Sequence, residues 1–476
     1  MLEAYFQFAQ WFFTIYFIGL HGGYLILNGI SVISIRKYME QHSVNNLPNI
    51  YTGMEMPISL LVPAYNEELS IIDSVLALLQ VNYPDYEIIV INDGSNDNTL
   101  QVIKDYFELT IFPEAQLNRL KTQPVNNIYI SKKYKNLRVI DKKNGGKADS
   151  LNAGINVSRF PLFCAIDADS ILQSNSIERI VQTFLEDPRT IAAGGSVRIV
   201  NGCEIHKGFV TKANLPKNPL ALMQVAEYLR AFLFGRLGWS PLNALLIISG
   251  AFGLFKKEAV VHVGGYKPDT IGEDMELIVR MHRVFRSEKK SYRITFVPDP
   301  ICWTEAPEDL KTLKNQRIRW QRGLSESLMG NLNLMFNRNP SIVGWIAMPY
   351  MLIFELAGPI IELMGISSVV IGFIAGYISY EVALLFFTIA IGFGMLLSII
   401  GVLLEEMSFH IYSNPMYVIK LFIASFTENF GYRQLNSFWR MIAMFQIITG
   451  SRAKWAKMKR NANWQSKTSS EQDSSE

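Results

Sequence analysis

The sequence feature that most restricts the fold is the stretch Phe163-Cys164-Ala165-Ile166-Asp167-Ala168-Asp169-Ser170. Its apolar first half predicts a buried strand, and two carboxylates, Asp167 and Asp169, follow at once. Open α/β sheets bind ligands outside the carboxyl ends of their strands, and hard divalent cations prefer oxygen ligands. The stretch therefore predicts an α/β sheet with a metal-bound diphosphate at its edge. D-x-D by itself favours an alternative, a helix cap at Asp169 or Ser170.

Composition indicates a membrane region beside a soluble domain. Apolar residues make up 49% of the 476 residues and charged residues 18%, and the apolar ones concentrate at the two ends of the chain. The net charge of +3 gives no reason to expect a nucleic-acid partner. The three cysteines lie in separate segments, which argues against a disulfide framework or a zinc site and favours a reducing compartment.

A membrane anchor is predicted from about Gln10 to Ile35, where nearly all residues are apolar or small. This length suffices to span a bilayer. No Lys or Arg precedes it and no cleavage pattern follows, which is typical of an anchor and not of a signal peptide. Arg36-Lys37 after it predicts that the following domain is cytoplasmic. A buried hairpin of a soluble core is the alternative.

Strands and helices alternate from Pro57 onward. Ile58–Val62 and Tyr86–Ile91 are predicted strands, and each leads into a turn with carboxylates and then a helix. This repetition predicts a doubly wound, mostly parallel, Rossmann-like α/β sheet. The segment from Glu108 to Asn136 has no clear hydrophobic periodicity and is interpreted as an insertion.

Two turns of this region could bind a nucleotide. Asp93 in Asp93-Gly94-Ser95 lies where a carboxylate can accept from a uracil N–H or a ribose hydroxyl, although Asp-Gly alone is an ordinary turn. A third strand, Leu137–Ile140, leads into Asn144-Gly145-Gly146-Lys147 and a helix start. Glycines permit close approach of a ligand, and helix starts bind phosphates. The Walker A spacing is absent.

The order of the motifs resembles that of a known family. Asp93-Gly94-Ser95, Gly145-Gly146-Lys147 and Asp167/Asp169 are followed by Gly272-Glu273-Asp274 and Gln316-Arg317-Ile318-Arg319-Trp320. This set resembles the family 2 glycosyltransferases of the GT-A fold, specifically the membrane-integrated branch with the cellulose, chitin, hyaluronan and poly-N-acetylglucosamine synthases. The resemblance extends from about Pro57 to Gly323 and rests on the joint order and on the Q-x-x-R-W spacing. Gly272 departs from the threonine that several synthases have there.

The resemblance implies a role for each matching residue. Asp274 is the implied catalytic base, with Glu273 beside it in the catalytic motif. The implied donor-binding residues are Pro63, Tyr65, Glu67, Asp93, Lys147, Asp167, Gln316 and Arg319. The implied acceptor-binding residues are Gly250, Phe252 and Trp320, and the implied ligands of Mg²⁺ or Mn²⁺ are Asp169 and Asp167.

The chemistry of sugar transfer needs these residue types. A base must take the proton of the acceptor hydroxyl, for which Asp274 is available, and a departing diphosphate must be neutralised by a cation at Asp169 with Arg319. No second carboxylate has the features of a nucleophile, so direct displacement with inversion is expected. The alternative for Glu273-Asp274 is an acidic pair at a helix start, favoured by the helix dipole.

The chain is predicted to divide into five segments. Residues 1–40 form the anchor, 41–309 the cytoplasmic GT-A domain and 310–338 a basic amphipathic helix on anionic headgroups that contains Q-x-x-R-W. Residues 339–450 contain two clear spans, Gly358–Ser379 and Val382–Leu404, an interfacial helix Ile342–Leu356 and a doubtful span, Met416–Thr449. Residues 451–476 form a basic and then Ser/Glu-rich cytoplasmic tail.

Together with the apolar segments at the chain ends, the resemblance implies an integral protein of the bacterial plasma membrane that elongates a polysaccharide from a UDP-sugar and moves it outward. Its expected partners are the donor, the growing polysaccharide or a lipid acceptor, and membrane lipids. One alternative is transfer of a single sugar to a lipid such as a polyprenyl phosphate or diacylglycerol. Another is a non-catalytic transporter or nucleotide sensor built on a decayed transferase, against which the intact Asp93, Asp169, Asp274 and Trp320 argue.

Overall fold

The computed structural model describes residues 2–44, 53, 55–113, 118–206, 208–337, 340–412 and 414–450. It begins with one long helix, α1 (Leu2–Val44). The predicted anchor, Gln10 to Ile35, lies within this single helix, which excludes the alternative of a buried hairpin. The predicted tail, residues 451–476, lies outside the described residues.

Strands and helices alternate after α1, as the sequence predicts. The strands Ile58–Ala64, Tyr86–Asn92 and Leu162–Ile166 have almost entirely buried side chains on both faces, which is typical of parallel strands covered by helices. In chain order the elements are β1 (Ile58–Ala64), α2 (Ile71–Leu79), β2 (Tyr86–Asn92), α3 (Thr99–Tyr106), β3 (Leu109–Ile111), β4 (Val125–Ser131), β5 (Leu137–Lys142), α4 (Lys147–Val157), β6 (Leu162–Ile166) and β7 (Ile171–Leu172).

The second half of the domain adds antiparallel strands and the helices that border the site. Its elements are α5 (Ser176–Glu186), β8 (Thr190–Ile199), β9 (Glu204–His206), β10 (Phe209–Lys212), α6 (Pro219–Glu227), a π-helical segment (Tyr228–Phe234), α7 (Gly235–Trp239), β11 (Phe252–Lys256), α8 (Lys257–His262), α9 (Glu273–Ser287) and β12 (Arg293–Thr304).

Ten of the twelve strands described form one sheet in the order β3-β4-β5-β2-β1-β6-β11-β8-β12-β7, and β9 and β10 pair with each other in a separate sheet. The centre of the larger sheet, β5-β2-β1-β6, is parallel, with Ala64 opposite Asn92 and Asn92 opposite Asp141. The carboxyl ends of these strands therefore meet at one edge, and the turns predicted to bind the donor follow them there. The expected mostly parallel α/β sheet is confirmed.

The interpretation of Glu108 to Asn136 as an insertion was wrong in part. Within it, β3 and β4 pair antiparallel with each other and β4 pairs with β5, so they extend the sheet at one edge. The side chains of β4 are only partly buried. An edge strand packs against helices less completely than a central one, so its sequence lacks the continuous apolar run that identifies the central strands.

The hydrophobic core lies on both sides of the sheet and differs between them. One cluster contains Leu60, Val75 and Ile180 and fills the space between the sheet and helices α2 and α5. The other includes Leu61 of β1 and also Leu27 of α1, so it continues from the sheet into the helical region. The α/β domain and the helices at the chain ends therefore share one continuous core.

Helices make up the rest of the described chain. They are α10 (Leu310–Met329), a 3₁₀ turn (Leu332–Leu334), a π-helical turn (Val343–Ala347), α11 (Met348–Tyr350), a second π-helical turn (Met351–Leu356), α12 (Gly358–Ile374), α13 (Tyr380–Phe387), a third π-helical turn (Thr388–Gly392), α14 (Phe393–Ser408), α15 (Pro415–Thr427) and α16 (Tyr432–Ile448).

Two helical segments among the described residues, Leu2–Glu40 and Tyr380–Ser408, are long and apolar enough to cross a membrane. Val343–Leu356 and Gly358–Ile374 pass the same test only as a pair, bent by 50° at their break. Met416–Thr449, predicted as a doubtful span, is divided between α15 and α16. These segments support a membrane protein with two, or at most three, spans in the described part of the chain.

Candidate active site

Lys147 connects three of the predicted site segments. It is the first residue of α4, after Gly146 with a positive φ of 87°. Its Nζ lies 2.5 Å from Asp167 Oδ1 and 3.7 Å from Glu273 Oε1, and it donates to the Gly250 carbonyl at 3.2 Å. One ammonium group thus joins the D-x-D turn, the Glu273-Asp274 pair and the loop before β11.

The Gly250 backbone also contacts Asp274. Its N–H donates to Asp274 Oδ2 at 3.0 Å, while its carbonyl accepts from Lys147. A Cβ added at Gly250 would lie 2.9 Å from Lys147 Nζ and 3.4 Å from Asp274 Oδ2. The predicted acceptor loop therefore holds the predicted base by its main chain.

The charges around Lys147 shift two pKa values. Burial opposes the ammonium charge of Lys147, but Asp167 and Glu273 more than offset this and raise its pKa above the usual range. Burial raises the pKa of Glu273 to about 7, with Asp274 contributing in the same direction and Lys147 opposing it. Lys147 therefore stays charged at neutral pH, and Glu273 is poised to exchange a proton there.

The Glu273-Asp274 pair begins helix α9. The alternative of an acidic pair stabilised by the helix dipole is therefore compatible with its position. The contacts to Lys147 and Gly250 go beyond what a helix start requires, because they come from α4 and from the loop before β11.

Asp93 holds the glycine loop after β5. Its carboxylate is buried and accepts from the N–H groups of Gly145 at 2.9 Å and Gly146 at 2.8 Å. It also pairs with the fully buried Lys142 at 2.5 Å and accepts from Asn144 Nδ2 at 3.2 Å. The predicted contact with a uridine stays a prediction; within the fold, Asp93 fixes the loop from which Lys147 projects.

The turns after β1 and β2 are fastened to each other. The Glu67 N–H donates to Thr99 Oγ1 at 2.9 Å, and Asn96 Nδ2 donates to the Tyr65 hydroxyl at 3.1 Å. Tyr65 remains 44% exposed, whereas Pro63 belongs to β1. Beside the second of these turns, an open cavity of about 580 Å³ is bordered by residues at the ends of β2 and β5, among them Asn92, Gly94, Ser95, Asp141 and Asn144.

Asp167 and Asp169 lie in a turn between β6 and β7. The next helix after this turn, α5, begins only at Ser176. The helix-cap alternative for D-x-D is therefore excluded. Both side chains are partly exposed, and their carboxylate oxygens are the donors that Mg²⁺ or Mn²⁺ prefers. The described residues contain no group of three or more His, Cys, Asp or Glu suited to a metal. The pair thus fits a cation that takes its other ligands from phosphate and water.

Helix α10 brings Q-x-x-R-W to the Glu273-Asp274 pair. Its Gly323 lies against Gly272, and its Glu326 accepts from the Ile271 N–H at 2.8 Å. Arg319 is partly exposed and makes no hydrogen bond or ion pair with any residue that the structure describes. Gln316 is buried, and its side-chain carbonyl has no hydrogen-bond partner there. Trp320 is partly buried against an aromatic cluster.

Two expectations for this region need correction. Arg317, placed by the sequence on a lipid-headgroup face, is buried and pairs with Glu227 at 2.8 Å, because α10 packs against protein on that side. Phe252, predicted as an acceptor contact, has a fully buried side chain in the core of the sheet. Its side chain therefore offers no surface for a sugar in this structure.

Comparison with known proteins identifies the family. A model described as "Glycosyl transferase family 2" matches residues 59–259, and one described as "Glycosyl transferase family group 2" matches residues 162–399, half of the chain. The chain belongs to the family 2 glycosyltransferases. The resemblance inferred from the motif order is thereby confirmed, and the protein is a transferase.

Curated relatives of this glycosyltransferase have a common name. A poly-beta-1,6-N-acetyl-D-glucosamine synthase of Staphylococcus aureus (strain COL) is 32% identical over 293 residues, 61% of this chain and 60% of the relative. The protein of the same name in Staphylococcus epidermidis (strain ATCC 35984) is 30% identical over 273 residues, 57% of this chain and 55% of the relative. The match spans less than two thirds of either relative.

A solved structure shares the fold of this glycosyltransferase. The mannosyltransferase PcManGT from Pyrobaculum calidifontis, in complex with GDP-Man and Mn²⁺, aligns with a TM-score of 0.50 and 17% sequence identity. The alignment covers 87% of this chain and 99% of the neighbour. At this identity the similarity concerns the fold alone, and it agrees with the sheet described above.

Sequence reasoning missed several residues that organise the glycosyltransferase site. Lys142 is fully buried between Asp93 and Asp149, at 2.5 and 2.7 Å. Arg236 of α7 is buried with its guanidinium 4.7 Å from the centre of the Phe232 ring, and burial lowers its pKa to about 10. For Lys142, its position at the end of an apolar strand gave only a weak indication of a role in the site. Nothing in the local sequence distinguished Arg236, because the site carboxylate that acts on its charge, Asp274, is remote in the chain.

Proposed function

We propose that this family 2 glycosyltransferase is an inverting, processive synthase that elongates an N-acetylglucosamine polysaccharide from UDP-N-acetylglucosamine. The observation that carries the proposal is the convergence of the D-x-D turn and the Glu273-Asp274 pair at Lys147 and Gly250, with the Q-x-x-R-W helix packed against Gly272 beside them. The choice of sugar rests on the name of the Staphylococcus relatives. The five-segment division of the chain is part of the same proposal.

The proposed reaction is a single displacement. Asp274 takes the proton of an acceptor hydroxyl, whose oxygen attacks the anomeric carbon of the donor. The bond from that carbon to the phosphate oxygen breaks, and UDP leaves with the electron pair, so the configuration inverts. A positioned base is worth about 10²–10⁴-fold in rate. The Gly250 N–H supports this role because it fixes one oxygen of Asp274.

Charge neutralisation of the leaving diphosphate falls to basic groups and a cation. Lys147 is charged and close to Asp167, and Arg319 is free of protein partners among the described residues. Asp169 and Asp167 would hold Mg²⁺ or Mn²⁺, which when bound supplies positive charge at the diphosphate. Pro63, Tyr65, Glu67, Asp93 and Gln316 complete the proposed donor site.

Outward movement of the product is proposed from buried charges among the helices of the membrane region. Glu428 is fully buried, accepts from Ser398 Oγ at 2.5 Å and lies 3.6 Å from Arg230. Arg440 pairs with Glu355 at 3.2 Å. Charges at such positions usually face a protein interior or an aqueous path. These buried charges would line a polar path for the carbohydrate product next to the site. Arg36-Lys37, which follow the apolar part of α1 within the same helix, support a cytoplasmic catalytic domain.

Trp320 is the proposed acceptor platform, the indole surface on which the end of the growing chain rests. An indole offers an apolar face to the C–H groups of a pyranose ring and one N–H donor for a hydroxyl. Trp320 is on the same helix as Arg319, so the diphosphate contact and the platform move together.

The test is incubation of the purified full-length protein with radiolabelled UDP-N-acetylglucosamine and Mg²⁺, followed by gel separation of the products. We expect a ladder or smear of long polymer that Asp274→Asn abolishes. A single labelled product of lipid size would replace the synthase by the lipid-directed alternative. Absence of transfer from any UDP-sugar, with UDP still bound, would favour the nucleotide sensor and overturn the proposal.

A further inference from the structure

The Trp320 ring is held from two sides. The guanidinium carbon of Arg317, one helical turn earlier, lies 4.5 Å from the ring centre. Phe232 and Tyr228 of the π-helical segment lie at 5.6 and 6.5 Å between ring centres. The orientation of the indole therefore depends on where Arg317 and this segment are fixed.

Glu227 fixes Arg317. Its two carboxylate oxygens accept from the two terminal nitrogens of Arg317, each at 2.8 Å, in a bidentate pair. The Arg317 residue is only 4% exposed. Fork-shaped pairs of this kind set the plane of the guanidinium as well as its position. Because that guanidinium covers Trp320, the carboxylate of Glu227 also determines where the indole can lie.

The same residue begins the second support. Glu227 ends α6, and Tyr228 after it starts the π-helical segment that supplies both aromatic neighbours of Trp320. Tyr228 and Phe232 are packed together with ring centres 4.3 Å apart. A displacement of Glu227 would therefore move both supports of the indole at once.

A third contact connects this arrangement to the helical region. The Tyr432 hydroxyl, at the start of α16, donates to Glu227 Oε2 at 2.8 Å and accepts from Arg317 at 3.3 Å. One turn further along α10, Gln321 Oε1 accepts from Arg440 of α16 at 2.7 Å. Helix α16 is thus attached to the Q-x-x-R-W helix on the side that holds Trp320.

We propose that Glu227 is a positioning residue for polymer elongation, which acts on the acceptor platform Trp320 through Arg317. It touches neither donor nor acceptor. The inference rests on the proposed function, because it presupposes that Trp320 supports the growing chain. Loss of Glu227 therefore shortens the product without weakening donor binding.

The experiment compares Glu227→Gln with the unchanged protein, using radiolabelled UDP-N-acetylglucosamine. The amide keeps the shape but turns a donor toward Arg317. We expect elongation to fall about tenfold, as for the loss of a charge-assisted hydrogen bond, with the KM for UDP-N-acetylglucosamine within about twofold. Glu405→Gln is the matched control, since it breaks a buried pair with Arg198 at 2.8 Å that does not touch Trp320. Glu405→Gln should leave the elongation rate unchanged, although it can lower thermal stability.

A second variant covers the case in which Glu227→Gln does not fold. Arg317→Lys keeps the charge but loses the bidentate pair, and we expect the same shortening of product. On a Trp320→Ala background, Glu227→Gln should add less than about twofold, because residues that act through one group are not additive. The role of Glu227 would be overturned if Glu227→Gln had equal effects in the unchanged protein and in the Trp320→Ala variant. It would also be overturned if Glu227→Gln and Arg317→Lys both made product of normal length.

The proposed function fails in a different way. If Trp320→Ala alone elongates normally, the platform is wrong and the synthase proposal loses its acceptor site. If Trp320→Ala is defective while Glu227→Gln is folded and normal, only the positioning role of Glu227 is wrong.

Discussion

Gly272 and Gly323 touch through their backbones. A Cβ built on either residue would lie 2.8 Å from the Cα of the other, closer than side-chain carbons normally approach. Gly272 immediately precedes the Glu273-Asp274 pair, and Gly323 follows Trp320 by three residues on α10. This contact sets the distance between the proposed base, Asp274, and the Q-x-x-R-W helix. It also explains the departure at Gly272, where a threonine would collide with α10.

The first prediction concerns this contact. Gly272→Ala or Gly323→Ala should reduce transfer by up to about 100-fold, because displacements of about 1 Å in an active site have effects of that size. Neither glycine has a positive φ, so the effect is steric and not a backbone strain. Activity and thermal unfolding of the purified variants are the measurements. Gly29→Ala, at a position with no atoms within 4 Å, is the control; equal activity in all three variants would remove the contact from the mechanism.

The second prediction separates the two carboxylates of the catalytic motif. Asp274→Asn should lose about 10²–10⁴-fold in transfer, the worth of a positioned base, and still bind UDP. Glu273→Gln should retain more activity, because the Gly250 N–H fixes Asp274 and not Glu273. Transfer rate and UDP binding by calorimetry are the measurements. A larger loss in Glu273→Gln than in Asp274→Asn would reassign the base.

The third prediction is a pH dependence of stability. Burial raises the pKa of Glu273 to about 7, so the folded state binds a proton more tightly than the unfolded state. Stability from this group is present below its unfolded pKa and is lost as pH rises toward 7. Glu273→Gln should therefore raise the melting temperature at pH 8 relative to the unchanged protein, and not at pH 4. Scanning fluorimetry in chelator measures this; a difference that is independent of pH would contradict it.

The fourth prediction is dependence on a divalent cation. Removal of metal by chelator should abolish transfer, and Mg²⁺ or Mn²⁺ should restore it, because Asp167 and Asp169 offer only oxygen ligands. Asp169→Asn should remain inactive at all cation concentrations. Asp187→Asn, which loses only a surface pair with Arg189, should behave as the unchanged protein. Full turnover after metal stripping would refute the requirement.

The fifth prediction follows from the position of Asp93. Asp93→Asn should destabilise the protein by about 1–3 kcal/mol, since it puts an amide donor among buried donors, and should raise the KM for the donor by loosening the Lys147 loop. Denaturant unfolding and donor kinetics measure the two effects. Asp105→Asn, at a surface carboxylate that accepts from Gln101 at 2.8 Å, is the control. A change in KM with unaltered stability would instead indicate direct contact with the nucleoside.

Most of the fold could be predicted from the sequence. The central strands are continuous apolar runs that end in turns, and α4 begins at the Gly-Gly-Lys loop as expected. The edge strands β3 and β4 were missed, because a half-buried strand lacks such a run. The D-x-D pair could be distinguished from a helix cap only because the other motifs of the family occur in the same sequence.

The sequence by itself determined which residues could do chemistry, because acids, bases and glycines at strand and helix ends are local features of the chain. Only the tertiary structure decided which of them meet. Lys147 reaches Asp167 and Glu273, Gly272 reaches Gly323, and Arg317 turns inward to Glu227. These partners are remote in sequence, so their pairing depends on how the elements pack in the core and on how buried charges find oppositely charged partners. No periodicity within one segment encodes that outcome.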